Sequence, residues 1–228
     1  MLILAATPIG NLGDASARLR EVLASANYIA AEDTRSLLKL ASMLQIKLHA
    51  KLFSLHEHNE HERIQQILEI AESNDVVVVS DAGMPTVSDP GFALVRAAVD
   101  AGIDVTVIPG PSAVLAALAV SGLPTDRFSF EGFLPRKRTD RLKMFRSLQA
   151  EQRTMVFFES PHRILESLQD AAEVFGVEHR ATVSRELTKK FEHTERGTMA
   201  SLIEWAKTEP KGEMVLVVAG VEARVVEA

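Results

Sequence analysis

The 228-residue chain contains no cysteine, which excludes disulfides, thiolate metal sites and cysteine nucleophiles. Aromatic residues are scarce: ten Phe, one Trp and one Tyr. The longest uninterrupted apolar run is the eight residues from Ala113 to Val120. A membrane-spanning helix needs about 20, so none is expected. The opening Met1-Leu2-Ile3-Leu4-Ala5-Ala6 lacks a basic n-region and reads as a strand, which predicts a cytoplasmic protein. No G-x-G-x-x-G follows this first strand, and no G-x-x-x-x-G-K-[ST] occurs, which removes the usual dinucleotide and P-loop readings. There is no G-x-S-x-G nucleophile elbow. There is also no overall basic excess: the net charge is −6, a weak argument against a polyanion partner.

What the chain does contain is an uneven charge distribution. Residues 1–125 carry 8 basic and 14 acidic side chains, whereas residues 126–228 carry 17 of each. Within 127–146, seven basic residues face only Glu131 and Asp140. Such a stretch fits either a polyanion footprint or a solvated helix face.

The hydrophobic pattern of the first half alternates short apolar runs with amphipathic segments. Strands are expected at Leu2–Ala6, Tyr28–Ala31, Lys51–Ser54, Val76–Val79 and Val105–Ile108. Asp14 is read as the N-cap of a helix over Ala15–Ala24, Asp33 as the cap of a helix to Leu44, and Asp89-Pro90 as N-cap and N1 of the next. Val76–Val79 has the uniform apolarity of a strand buried on both faces. Pro111 opens a helix that is apolar nearly all round and should be buried. This βαβα order predicts an α/β protein with a mostly parallel sheet over residues 1–120. The break at Ser121-Gly122-Leu123-Pro124-Thr125 sets the boundary, and 126–228 reads as a second α/β domain with mixed pairing. Its strands are expected at Phe128–Glu131, Met155–Phe158, Thr182–Ser184, Phe191–Glu195 and Met214–Ala219, and its helices at Thr139–Gln149, Pro161–Phe175 and Met199–Lys207.

In parallel α/β sheets, ligands bind outside the carboxyl ends of the strands. Three loops there are built of Gly, Pro and small polar residues: Thr7–Asp14, Ser80–Gly91 and Pro109–Ala113. Such residues turn tightly and admit a ligand close to the backbone. Three together point to a ligand cleft. Glu32-Asp33-Thr34-Arg35 follows the second strand and fits either helix capping or a polar site. His56-Glu57-His58-Asn59-Glu60-His61 lacks the H-E-x-x-H spacing, and no metal is assigned to it. In Glu159-Ser160-Pro161-His162-Arg163, Ser160 and Pro161 read as N-cap and N1, leaving Glu159, His162 and Arg163 as cleft candidates.

Taken together, Ala6-Thr7-Pro8-Ile9-Gly10-Asn11-Leu12-Gly13-Asp14, Ala31–Arg35, Ser80–Pro85, Ser88–Gly91, Ile108–Ala113, Glu131–Pro135 and Glu159–Arg163 resemble the tetrapyrrole methylase superfamily. Within it they resemble the branch that methylates small-subunit ribosomal RNA. That resemblance covers nearly the whole chain in order. It implies two α/β domains with S-adenosylmethionine in a cleft between them, a homodimer, and 2′-O-methylation of a cytidine ribose in the decoding region of 16S rRNA. Carried onto matching positions, it puts Pro8, Asp81, Ala82, Gly83, Thr86, Ser112 and Ala113 on the cofactor, with Glu159, Ser160 and Gly197 in the second domain. Tetrapyrrole-modifying relatives usually carry G-x-G-P-G-D after the first strand, and this chain has Thr7-Pro8-Ile9-Gly10-Asn11-Leu12-Gly13-Asp14 instead.

A weakly nucleophilic hydroxyl benefits from a positioned base. Glu32 and Asp33 are the catalytic candidates, with Arg35 orienting the site or holding phosphate. Arg136, Lys137, Arg138, Arg141, Lys143 and Arg146 are the expected RNA contacts, through backbone and shape more than base stacking. Two other functions remain open at this point: methylation of a tetrapyrrole-like small molecule, and a non-catalytic protein that binds S-adenosylmethionine.

Overall fold

The computed structural model describes residues 1–56 and 59–221, with the side chain of His61 also left aside. It divides into two compact units, Met1–Ser112 and Ala113–Ala228.

The first unit is a five-stranded, wholly parallel sheet. Its strands are β1 (Leu2–Ala5), β2 (Tyr28–Ala31), β3 (Lys51–Ser54), β4 (Val76–Val79) and β5 (Val105–Ile108), in the order β3-β2-β4-β1-β5. Four helices connect them: α1 (Ala17–Ser25), α2 (Thr34–Met43), α3 (Glu60–Ala71) and α4 (Phe92–Asp100). The chain moves one way across the sheet through α1 and α2 and the other way through α3 and α4. Right-handed crossovers therefore place the two pairs on opposite faces. The cores agree. Leu19, Leu23 and Leu37 pack with Ile3, Ile29, Val77 and Val79 on one face. Ile67, Ala71, Leu94 and Ala98 pack with Leu2, Ala30, Val76 and Val78 on the other. β4 is buried along its whole length, as its four valines predict.

The second unit is a mixed sheet. Its elements are α5 (Ala113–Ser121), β6 (Phe128–Phe133), α6 (Arg138–Ser147), β7 (Thr154–Glu159), α7 (Ile164–Phe175), β8 (Arg180–Arg185), β9 (His193–Thr198), α8 (Met199–Ala206) and β10 (Met214–Val218). The strand order is β6-β7-β10-β8-β9, with only β6 and β7 parallel. Phe145, Ile164, Leu168 and Leu202 of the following helices cover one face against Phe157, Val183 and Leu216. Val114, Ala117 and Leu118 of α5 cover the other against Val156, Val215 and Val217.

Several expectations change. The division falls between Ser112 and Ala113, not within 121–125, because α5 packs its buried face on the second sheet. That helix is buried on one side only: Leu115 is 54% exposed, so uniform apolarity overstated its burial. Ser16, not Asp14, caps α1, accepting from Leu19 N–H, while Asp14 ends a short 3₁₀ turn over Leu12–Asp14. Asp89 does not cap α4. Gly91 occupies the N-cap, and Glu60 Oε1 at the start of α3 accepts from the backbone N–H of Gly91 (3.2 Å) and Leu94 (3.1 Å). α7 begins at Ile164 after a turn, so Ser160 and Pro161 precede it. Asp33 does cap α2, accepting from Arg35 N–H at 2.8 Å. No helix among the described residues is long and apolar enough to cross a membrane.

Candidate active site

β4 is the central strand of the first sheet, and its carboxyl-end loop leads to α4 on the face opposite α1 and α2. The loops of both neighbouring strands, β1 and β2, lead the other way. Divergence of adjacent loops opens a crevice at this end of the sheet, the position where open α/β sheets bind ligands.

Backbone bonds knit the loops together there. Thr7 and Gly83 exchange N–H···O bonds of 2.9 and 3.1 Å, and Thr7 Oγ1 donates to Ser80 O at 3.2 Å. Gly83 holds φ +86°, and a Cβ there would meet Ile9 Cγ2 at 3.4 Å and Pro111 O at 3.7 Å. A Cβ on Gly110 would come within 2.9 Å of Ala6 Cβ. Gly83 therefore allows the turn, and Gly110 allows the close approach of the loops. Beyond Gly83, Thr86 (φ 78°) and Ser88 (φ 63°) are both left-handed. Such backbone is costly for a β-branched residue and is concentrated at ligand-binding loops. Thr86 N–H is fixed to Pro90 O at 3.2 Å.

The polar groups interlock across the strand ends. Asp81 N–H donates to Glu32 Oε2 (3.2 Å), and Asp33 N–H donates to Asp81 Oδ1 (3.3 Å). Ser36 Oγ donates to Asp81 Oδ2 at 3.3 Å. Arg35 forks onto Asp33, with Nε 3.0 Å from Oδ1 and a terminal guanidinium nitrogen 2.6 Å from Oδ2. Glu32, Asp33, Thr34, Arg35, Ser54, His56 and Asp81 line an open depression of about 500 Å³. That is the size range of small-molecule sites.

The electrostatics sort these carboxylates. The Arg35 fork and the N-cap bond hold Asp33 at about 2, well below its ordinary 3.8. An acid so weakened as a proton acceptor suits anchoring Arg35 and α2 better than general base work. Asp89 is the opposite case. Burial raises its carboxyl from 3.8 to about 6, against a hydrogen bond from Ser80, with the nearby charges of Glu32 and Asp81 adding to the rise. The Asp89-Pro90 pattern alone assigns Asp89 to a helix cap. Glu60, distant in sequence, takes that job and leaves Asp89 to the loop.

In the second unit the candidates are more structural than expected. Glu159 is 3% exposed, ion-paired to Arg163 (2.6 Å) and bonded by Ser167 Oγ (2.5 Å). Ser160 N–H also donates to it. Gly197 lies on β9, where a Cβ would run into Ser201 Oγ of the capping box that starts α8. The fold thus explains both residues without a ligand. Of the basic stretch, Arg141 is 1% exposed and bound to Asp170, with nitrogen–oxygen distances of 2.6 and 2.7 Å. Arg138 pairs with Asp170 and Glu173, and Arg146 with Glu173. Arg141 is therefore withdrawn as an RNA contact, since its charge is consumed in pinning α6 to α7. Arg136, Lys137 and Lys143 are exposed and make no ion pair with a described residue. Glu57 and His58 lie outside the described residues, and no metal-binding cluster of three or more His, Asp or Glu occurs among the rest.

Residues 1–203 match the family model for tetrapyrrole (corrin/porphyrin) methylases. The chain belongs to that family. Two methylase structures share its fold. Diphthine synthase superposes with a TM-score of 0.72 at 17% identity, covering 96% of this chain and 89% of that one. The methyltransferase CobJ superposes with a TM-score of 0.71 at 21% identity, covering 96% and 94%. Closer in sequence are proteins named ribosomal RNA small subunit methyltransferase I. The one from Mycobacterium tuberculosis (strain CDC 1551 / Oshkosh) is 48% identical over 96% of this chain and 77% of its own length. The one from Escherichia coli O157:H7 is 43% identical over 98% and 79%. As a tetrapyrrole methylase, this chain carries its small-residue loops at the crevice where its sheet order predicts a ligand.

Proposed function

We propose that this protein transfers a methyl group from S-adenosylmethionine to small-subunit ribosomal RNA, at the 2′-hydroxyl of a cytidine in the decoding region. The observation that supports the rRNA substrate is identity of 43–48% over nearly the whole chain with proteins named ribosomal RNA small subunit methyltransferase I; the ribose position rests on the motif resemblance alone. S-adenosylmethionine is the methyl donor of this family, and the first unit fits it. The crevice combines a turn that only a residue tolerant of positive φ adopts, a glycine with no room for a Cβ, and exposed polar side chains around about 500 Å³.

Bound there, S-adenosylmethionine supplies an activated methyl group on a sulfonium. Pro8, Asp81, Ala82, Gly83, Thr86 and Ser112 would hold it through loop backbone and the Asp81 carboxylate, with Ala113 at the start of α5. The chain's further work is to align the ribose hydroxyl and to accept its proton. Arg35, 88% exposed at its side chain, is available to hold a phosphate while Asp33 fixes its orientation. Glu32 and Asp89 are the carboxylates for the proton. Asp89, at about 6, is the better matched to neutral pH. The same reading makes the protein a cytoplasmic homodimer, which sedimentation of the purified protein tests.

The deciding experiment is transfer from radiolabelled S-adenosylmethionine to isolated small ribosomal subunits, followed by nuclease mapping. Label on one ribose 2′-oxygen in the decoding region is the expected result. No label, with cofactor binding intact, would move the assignment to a small-molecule substrate.

A further inference from the structure

The second sheet gathers an unexpected set of residues along one edge. β6 and β7 are parallel, and β10 runs antiparallel to both β7 and β8. The carboxyl ends of β6, β7 and β8 therefore lie together. Register makes the row explicit: Phe133 pairs with Phe158, Phe158 with Val215, and Val215 with Ser184. Two of the most exposed large apolar side chains among the described residues belong to this end of the sheet: Phe133, 61% exposed, begins the row, and Phe191, 63% exposed, lies in the loop between β8 and β9.

Both rings are presented, not merely left over. Phe133 follows a register shift in β6, where Gly132 takes φ +74°. A bulge of this kind re-aims the next side chain. The ring rests edge-on against Phe158, with centroids 5.3 Å apart. Phe191 projects from a firmly held loop after β8. Leu187 anchors that loop in the core, and Glu186 and Thr188 adopt left-handed backbone. Lys189 bridges Glu186 (3.1 Å) and Glu213 (2.8 Å), and Thr188 N–H donates to Glu192 Oε2. The loop's acidic groups are thereby engaged internally. Cations near this loop include Lys190, whose Nζ lies 5.5 Å from the Phe191 ring centre, and Lys211 before β10, whose carbonyl accepts from Arg185. Beside Phe133 they are Arg136 and Lys137. None of these four makes an ion pair with a described residue.

We infer that Phe133 and Phe191 are stacking platforms for two unpaired bases of the RNA substrate, each with adjacent cations on the neighbouring phosphates. Exposed aromatic rings flanked by Lys or Arg match a base face and its backbone, and stacking is how proteins grip single-stranded RNA. Three strand spacings, about 14 Å, separate β6 from β8. That is too far for two rings to clasp one base, so each takes its own. The inference rests on the rRNA reading and deepens it. It gives base stacking a larger part than the expected reliance on backbone and shape contacts.

The test replaces each ring by leucine, singly and together, and measures methylation of isolated small subunits. Leucine keeps the apolar bulk a protein partner would need but has no π face. The expected result is an increase in KM for the subunit of about ten-fold per ring. The kcat and the affinity for S-adenosylmethionine stay unchanged, and Phe191→Trp restores the KM. A second readout uses Phe191→Trp in a Trp205→Phe background, which leaves one tryptophan. Its fluorescence should be quenched by a short single-stranded RNA oligonucleotide. If wild type labels the RNA but the double leucine variant keeps its KM, the inference falls and the rRNA reading stands. If wild type labels no RNA yet the oligonucleotide quenches the fluorescence, the reading falls and the platform stands. If neither occurs, both fall. Loss of a dimer in the double leucine variant, with unchanged RNA affinity, would assign the edge to a second copy of the chain and overturn the inference.

Discussion

Arg141 and Lys143 are two positions apart in the same basic run, yet their environments have little in common. Arg141 is buried against Asp170, whereas Lys143 is exposed. Removing Arg141 leaves buried Asp170 with exposed Arg138 as its remaining ion-pair partner among the described residues, which holds the cost to the low end of the range for a broken buried pair, about 3 kcal/mol. Arg141→Ala should lower unfolding free energy by that amount in a urea titration. Lys143→Ala should change it by no more than about 0.5 kcal/mol. Composition could not separate these residues, because their difference is made by α7, 29 positions away at Asp170. Asp89 teaches the same lesson about protons. Its folded value, about 6, lies above its ordinary 3.8. The folded protein therefore binds more protons than the unfolded chain between those values, and stability falls as pH rises through that window. Melting temperature should decline from pH 4 to pH 6.5 by a component that Asp89→Asn removes. Asp33 has the reverse sign: its contribution is present above 3.8 and is lost as pH falls toward about 2.

At the scale of elements, strands were the most legible. All five strands of the first sheet lie where apolar runs placed them, most plainly β4, whose four buried valines show that a strand covered on both faces must be apolar throughout. Helix starts were less so. A cap is a bond to a free N–H, and its acceptor need not be local. Glu60 reaches α4 from α3, so Asp89-Pro90 looked like a cap without being one. The loops predict their own sensitivity. Gly83→Ala places an L-residue at φ +86°, costing about 1–2 kcal/mol, and presses Cβ toward Ile9. Calorimetry should show weakened S-adenosylmethionine binding, and thermal melting a modest loss of stability. Gly102, with φ +72° and nothing within 4 Å, is the control: Gly102→Ala should cost similar stability and leave binding intact.

For the whole molecule, a net charge of −6 is compatible with the proposed RNA contact, because that contact would need only a few local cations. Arg136, Lys137 and Lys143 are exposed and make no ion pair with a described residue. Each contact with a single-stranded phosphate contributes about −0.7 to the slope of log affinity against log salt. Replacing all three by alanine should flatten that slope by about 2 for an RNA oligonucleotide. Replacing Arg138 or Arg146, already paired with Asp170 and Glu173, should change it less.

The sequence by itself determined the α/β class, the strands of the first sheet and the small-residue loops, because burial periodicity and turn chemistry are local properties of a chain. Its motifs carried the family resemblance. β9 fell at His193–Thr198 and not at Phe191–Glu195. The sequence did not determine to which unit α5 belongs, which arginine is buried, which residue caps α4, or which carboxyl titrates near neutrality. Each of those depends on a partner far along the chain: the second sheet for α5, Asp170 for Arg141, Glu60 for α4, and Ser80, Glu32 and Asp81 for Asp89. Only the folded backbone brings such partners within the few ångströms over which packing, hydrogen bonds and desolvation act.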